Sequence, residues 1–386
     1  VEDATLAPDY DIQINGKSID VGVRQLIQRV EYESTDGLAD VAKVMAINPD
    51  NALGNAKTFQ PGNEMSIFMG YGGELKHVGR VFLVKQRPQF PTDGMPILNV
   101  VGYTKDHKMM DNAPEKSAKV AGKGGRPYKQ ALHSDAVIDR AYDYGMVAEV
   151  DPTSITADFV QKVGMKDYEF VQGLANLTGF IFWVDGDEKG VWTLHFRDPD
   201  KTKTSDFQER ELTFKYNQGD LSGLLSFQPE MLIKGFETKI KVQAKDYKSG
   251  KMMETEVEET GQKSPDIQDT GDPSETLDEP YSTASDMKLY VGDYSFDIIS
   301  NKKFKTDAEV LAWAKQWFRR QREQFIMAKG TTIGVEDLMA RQIHNFEGLG
   351  TGYDGKYYFT KVRHICSASD GYICEFDVRK VVPPVE

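Results

Sequence analysis

Alternation of apolar and polar positions with a period of two governs the first hundred residues. In the stretch from Phe59 to Tyr103, Met65, Ile67 and Met69 fall on one face of an extended segment and Ser66 and Phe68 on the other. Pro61-Gly62 opens that strand, and Gly70 to Gly73 turns it. The runs Val78 to Gln86 and Pro96 to Tyr103 follow, so the pattern predicts an antiparallel meander of three strands. Upstream, Asp11-Ile-Gln-Ile-Asn-Gly-Lys-Ser-Ile reads as a hairpin turned at Asn15-Gly16, where both residues accept a positive φ. Further strands are expected around Leu26 to Tyr32 and Ala42 to Ile47, with a polar loop from Asn48 to Lys57. About six strands before Lys105 suffice for a small barrel or sandwich.

The period then changes. Lys105 to Gln130 is poor in large apolar residues and carries Lys116, Lys119, Lys123, Arg126 and Lys129, the composition of a flexible basic linker. Its glycines lack the spacing of a phosphate-binding loop, and contact with an acidic protein neighbour suits it better. Val137, Ile138, Ala141, Tyr142 and Tyr144 predict a short helix, with Ser134 as N-cap and Gly145 as stop. A strand over Met146 to Val150 follows. Asp167 is read as the cap of a second helix carrying Phe170, Val171, Leu174 and Ala175 and ended by Gly179. Phe180 to Val184 and Val191 to Phe196 then form a hairpin, completing a compact α+β unit.

Strands resume from Leu212. Met231 to Ala244 alternates apolar with charged residues, and a turn at Lys248 to Gly250 leads into Met252 to Val257. Residues 258–286 are rich in Asp, Glu, Pro, Ser and Thr and cannot bury enough surface to offset chain entropy. They read as a long exposed loop, with an acidic arm reaching a neighbouring subunit as the functional alternative. Thr306 and Glu309 make a capping box for a helix running to about Met327. Val310, Leu311, Ala314, Trp317, Phe318 and Phe325 form its apolar face, while Lys315, Arg319 and Arg322 lie on the other. A strand ending near Phe346, a glycine-rich turn over 348–355, and strands over Lys356 to His364 and Gly371 to Val378 close the chain.

At 386 residues, two to four domains are expected. Hydrophobic residues at 39% and charged residues at 28% describe an ordinary globular chain, with no apolar run near the roughly 20 residues that span a bilayer. The first residues lack the layout of a signal peptide. Two cysteines point to assembly in a reducing compartment. A net charge of −13 argues against a nucleic-acid reader, whose affinity comes from clustered Lys and Arg. It is compatible with a soluble protein, or with the wall of a channel along which DNA slides without being held.

The sequence Phe59-x-Pro-Gly-Asn-x-Met-x-Ile, a Gly-Tyr-Gly-Gly turn, a Gly-Arg-Val-Phe strand and Pro88-x-Phe90 resemble the first barrel of the late control protein D family. These are baseplate hub proteins of contractile phage tails, related to the N-terminal part of VgrG. The order Asp167 to Phe170, Leu174-Ala, Gly179 and an aromatic hairpin resembles the family's insert. Lys356 to His364 with Gly371-Tyr resembles the closing hairpins of its second barrel, although Phe359 stands where a smaller β-branched residue is usual, a change touching packing only.

The resemblance implies a mainly β fold with an α+β insert: two tube-protein-like β-barrel domains and a small helix-hairpin domain. Its division would be a first barrel over 1–105, a basic linker over 106–130, the insert over 131–206, and a second barrel over 207–386 that holds the acidic loop 258–286 and the long helix 306–327. It further implies a homotrimer of pseudo-sixfold symmetry between the hexameric tail tube, or a tube initiator, and the trimeric central spike. Tape-measure and baseplate wedge proteins would lie nearby, with DNA passing through unbound. Such a protein would reside in the tail baseplate of a virion after assembly in the host cytoplasm, without membrane insertion. Arg379, Lys380, Val381 and Val382 are the expected spike contacts, and Lys315, Arg319 and Arg322 the expected intersubunit face of the helix.

Catalytic chemistry finds little support in the motifs. His344, His364, Cys366 and Cys374 are the one metal-like cluster, but no Cys-x-x-Cys spacing accompanies them, and barrel packing is the reading adopted, with no metal and no cofactor. Whether Cys374 joins His364 and Cys366 depends on the parity of the turn over Ser367 to Gly371. Carboxylate pairs of a cell-wall hydrolase are set by distance in the fold and leave no spacing to read. An effector-bearing VgrG spike needs a β-helical needle after the hub, whereas this chain stops at Glu386. A sugar-binding β-protein would rest on exposure of Trp183 and Trp192, residues more often found in cores.

Overall fold

Asn15 and Gly16 both adopt positive φ, 50° and 77°, and turn strand β1 (Pro8–Ile14) into β2 (Lys17–Ser18), as the two-residue hairpin requires. The computed structural model describes residues 7–113, 125–154, 156–198, 211–216, 223–232, 239–246, 250, 252–258, 295–304, 310–311, 313–315, 317, 324–350 and 352–381. The chain divides into two compact units. One comprises residues 1–207, 331–342 and 360–376, the other residues 208–330, 343–359 and 377–386. The fold is mainly β with an α+β insert.

In the first unit, helix α1 (Val21–Leu26) precedes β3 (Ile27–Thr35) and β4 (Val41–Ile47), and a short 3-10 turn and helix α2 (Ala52–Asn55) precede β5 (Glu64–Tyr71), β6 (Glu74–Gln89) and β7 (Ile97–Tyr103). The expected meander is present. Strand β6 pairs antiparallel with both β5 and β7, and Met65, Ile67 and Met69 are fully buried on one face. The path β3-β4-β7-β6-β5-β1-β2 is antiparallel throughout. Residues 361–367 add a further antiparallel strand against β3, with His364 opposite Tyr32. This distant segment belongs to the first unit, which is therefore assembled from separate stretches of sequence.

The basic linker expected over 106–130 holds regular structure at both described ends. Helix α3 (His107–Asp111) buries Met109, and β8 (Gly125–Leu132) pairs with β10 (Thr156–Lys162), a strand absent from the sequence reading. Between them in sequence come helix α4 (His133–Asp143) and β9 (Val147–Val150). Leu132, not Ser134, occupies the N-cap of α4, because the Ser134 hydroxyl is turned to Thr153 while Asp135 accepts from the Leu132 amide. Helix α5 (Asp167–Thr178) ends as expected at Gly179, whose φ of 80° lets its amide reach the Ala175 carbonyl. Strands β11 (Ile181–Gly186) and β12 (Trp192–Arg197) form the hairpin, and β9 adds to β12 in parallel. Val137, Ala141, Phe170, Leu174, Phe182 and Phe196 are among the side chains of its core, and Trp192 stacks 5.2 Å from Phe82 of β6.

The second unit contains β13 (Thr213–Lys215), β14 (Leu224–Met231), β15 (Lys239–Asp246), β16 (Met252–Glu258) and β17 (Ser295–Phe304), followed by β18 (Ile326–Ile333), β19 (Ile343–Glu347), β20 (Gly355–Ser367) and β21 (Gly371–Lys380), the last strands being shared with the first unit by residue range. Phe214, Phe346 and Phe359 stack at 5.1 to 6.2 Å, so Phe359 fills an aromatic core, consistent with a packing role. Strand β15 pairs antiparallel with β16 and parallel with β17, and Val310 and Ala314 pack on Ile240 and Val242. The helix expected over 306–327 stops earlier. Phe325 precedes β18, and Ile326 and Met327 are strand residues. The β-branched run Thr331-Thr-Ile that follows favours extension. Residues 259–286 of the acidic loop lie outside the described residues. Among the described residues, no helix is long and apolar enough to cross a membrane.

Candidate functional site

The first unit carries a polar cleft of about 420 Å³ whose lining includes Tyr32, Asp40, His77, Trp183, His195 and Arg341. Its floor follows from register: Trp183, His195 and Glu149 are directly opposite one another across β11, β12 and β9. The His195 ring lies 4.5 Å from the Trp183 indole, nearly parallel to it. Its Nδ1 is 3.1 Å from Glu149 and its Nε2 3.0 Å from Asp185. Burial pushes the Asp185 carboxyl up, but His195 and the Trp183 indole N–H outweigh that and hold it below the usual carboxylate range.

Arg341 closes the cleft from the segment before β19. Its φ is +74°, a left-handed conformation that costs a non-glycine residue about 1 kcal/mol or more. From there its guanidinium donates to Asp40 at 3.1 Å and to the Thr35 carbonyl at 3.0 Å, and its carbon sits 5.1 Å from the Trp183 ring centre. Asp40 also accepts from the Tyr32 hydroxyl at 3.1 Å and from the Thr35 amide at 3.2 Å. Three carboxylates along the cleft are engaged by side chains of the same chain, Asp40 by Arg341 and Asp185 and Glu149 by the His195 ring, while Asp187, which also lines it, accepts from the Val191 amide at 2.7 Å. The cluster ties β3, β11, β12 and the 331–342 segment together.

Outside the cleft, the solvent face of β3, β4, β7 and β6 holds a groove of about 390 Å³ lined by Arg29, Lys43, Lys85 and Arg87, with Glu31 and Asn99. Register sets the rows, with Arg29 opposite Met45, Met45 opposite Asn99, and Asn99 opposite Arg87. Sequence reading passed over it. The signal is the alternation Lys85-x-Arg87, which places both cations on one strand face.

The residues expected to meet a spike are placed as follows. The Arg379 guanidinium lies 4.5 Å from the Tyr358 ring centre, the Lys380 ammonium donates to the Gly352 carbonyl at 2.8 Å, and the Val381 amide donates to the Lys356 carbonyl at 2.9 Å. Val382 is outside the described residues. Of the helix face, Lys315 is described and half-buried, while Arg319 and Arg322 are not described.

His364 and Cys374 do come together, with the Cys374 sulfur 3.3 Å from His364 Nδ1, and the turn between their strands has three residues. The ring is fully committed, however. Nε2 donates to the Leu338 carbonyl at 2.7 Å, which leaves Nδ1 to accept from the Tyr372 hydroxyl at 2.9 Å. Burial pushes the imidazole down to about 4 and the Cys374 thiol up to about 12, the states of neutral core groups. Both cysteines are free, and among the described residues no group of three His, Cys, Asp or Glu side chains could hold a metal. His344 receives the Leu212 amide at 3.2 Å in the second unit. Trp183 and Trp192, the aromatics on which a sugar-binding reading rested, are buried.

Comparison with solved structures places the fold. The chain is similar to the 43 kDa tail protein of prophage MuSo2 from Shewanella oneidensis, at 11% identity and a TM-score of 0.66, covering 97% of this chain and 98% of that one. It is similar to a tail protein from Neisseria meningitidis MC58, at 13% identity and 0.64, covering 97% of each. An Escherichia coli component of the type VI secretion system, described as structurally similar to the T4 phage tail proteins gp27 and gp5, matches at 10% identity and 0.56, covering 96% of this chain and 77% of that one. The fold is that of tail proteins. No curated protein sequence matches the chain. The family model described as the Alg8 N-terminal domain matches residues 11–368, and the chain belongs to that family.

Proposed function

We propose that the protein is a structural hub at the base of a contractile tail, a homotrimer of pseudo-sixfold symmetry that joins a hexameric tube to a trimeric spike and surrounds the channel through which DNA passes. The observation that carries the reading is likeness to tail proteins over nearly the whole of both chains. The polar cleft supports a structural role, because Asp40, Asp185 and Glu149 are engaged by side chains of the same molecule. In this reading residues 1–105 and 207–386 supply the two barrels and 131–206 the insert. On the same reading the late control protein D hubs, whose motifs the chain resembles, would be its relatives. The likeness to a type VI secretion component, and to a chain of a Francisella PdpA–VgrG complex at a TM-score of 0.53, favours a second setting of the same part: the hub of a VgrG-like injection machine.

Arg379 to Val382 would meet the spike, and the helix face with Lys315, Arg319 and Arg322 would lie between subunits. Tube or tube-initiator, tape-measure and wedge proteins would be the other neighbours, in a virion baseplate assembled in the host cytoplasm. Removing the residues after Lys380 tests the spike assignment: loss of spike co-purification with an unchanged trimer supports it, and undiminished co-purification refutes it.

A further inference from the structure

The basic groove of the first unit has two cations with no ionic partner among the described residues. Arg29 is paired with Glu31 and Asp370, and Lys43 lies 3.9 Å from Glu31. Lys85 and Arg87 are exposed and have no ionic partner among the described residues. The same chain holds a complementary polymer. Residues 254–286 contain eleven carboxylates and one lysine, ten of the thirteen net negative charges of the protein. Glu254, ion-paired with Lys241 at 2.6 Å, and Glu256 stand on the outward row of β16 at the start of this run.

We infer that the basic face made by Arg29, Lys43, Lys85 and Arg87 docks the acidic run 254–286 of a second copy of the chain. The inference rests on the self-association proposed above and names its glue. In a ring of three, every interface is heterologous: one patch of a protomer meets a different patch of the next, and the rotation closes. Such a ring needs two unlike, complementary surfaces on each chain, and a basic groove with an acidic run are such a pair. Pairing the two within one copy would use both up and leave none for the neighbour. Pairing them between copies also offsets the mutual repulsion of protomers carrying −13 each. The overall acidity of the chain opposes nucleic acid as the occupant.

The test uses full-length protein. Light and nitrogen-15-labelled chains are mixed under conditions where subunits exchange, and carbodiimide cross-links are read by mass spectrometry. Heavy–light links from Lys85 or Lys43 to acids within 254–286 are expected, together with about tenfold weaker self-association for Lys85→Glu/Arg87→Glu at low salt and a smaller deficit at high salt. A circular dichroism melt matching the parent separates this from misfolding. A trimer that yields only links within one copy, or none from these lysines, overturns the inference while the hub reading stands. Absence of any trimer in the parent defeats that reading instead. Tight binding of a DNA duplex that Lys85→Glu/Arg87→Glu abolishes would assign the face to nucleic acid and overturn the inference.

Discussion

Arg341 and Asp40, 301 residues apart in sequence, form an ion pair at 3.1 Å in which the side chains keep only 6% and 3% of their surface exposed. Removing one partner leaves a buried charge without its counterion, which costs about 3–5 kcal/mol. Arg341→Met and Asp40→Asn are each expected to lower unfolding free energy by about that amount, and the double replacement by less than the sum. Urea titrations of the four proteins check this; additive losses would mean that the pair does not act as a unit.

Asp106 lies 1% exposed beside Thr104, whose hydroxyl donates to it at 2.8 Å, and burial, aided by nearby Asp40, pushes its carboxyl up to about 7. The folded protein therefore holds a proton that the unfolded chain releases near pH 4. Stability from this group is present at low pH and is lost as pH rises through the window from about 4 to 7. Asp106→Asn keeps an acceptor for Thr104 and removes that dependence, so its advantage over the parent should grow across the window and reach on the order of 2–4 kcal/mol at pH 8. His364 works in the opposite sense. Its depressed value of about 4 contributes stability above the ordinary histidine range that is lost as pH falls from about 6.5 to 4. Comparing variant with parent at each pH cancels that contribution.

For His364 itself, the hydrogen bond to Leu338 fixes the proton on Nε2. Nitrogen-15 spectra should show this single neutral tautomer down to about pH 5. Added zinc should leave the melting temperature unchanged. A metal-dependent rise in melting temperature that His364→Gln abolishes would contradict the account.

Gly79 shows a packing limit. A Cβ there would overlap the Tyr32 ring, whose hydroxyl must reach Asp40 at 3.1 Å. Gly79→Val should cost about 1–3 kcal/mol and weaken the coupling between Asp40 and Arg341. A double-mutant cycle repeated in that background measures it.

Local signals carried much of the fold. Asn15-Gly16, the two-period run of Met65, Ile67 and Met69, and Gly179 each act within a few residues, and each appears where the sequence put it. Asp167 misled for the same reason. It stands where a cap is common, yet Lys166 is the N-cap and the buried Asp167 carboxylate accepts from Tyr144 at 2.6 Å, Gln161 at 2.6 Å and Arg140 at 3.3 Å. Those partners are set by tertiary packing. Strand β10 was missed although its burial alternates, because the buried position is the polar Gln161 and the apolar Val160 faces outward. The Arg341 cluster left no trace in spacing, since it is assembled from β3, β11, β12 and a segment some 300 residues away. The basic groove was readable in Lys85-x-Arg87 but not its company, which needed the register of four strands.

The central claim is that one chain supplies two equivalent parts of a ring, and native mass spectrometry combined with electron-microscope class averages of the purified protein tests it most directly. The account predicts a species of three times the 43.4 kDa protomer mass with six lobes around a hollow centre. A monomer, or a trimer whose averages show three lobes and no central channel, would contradict it.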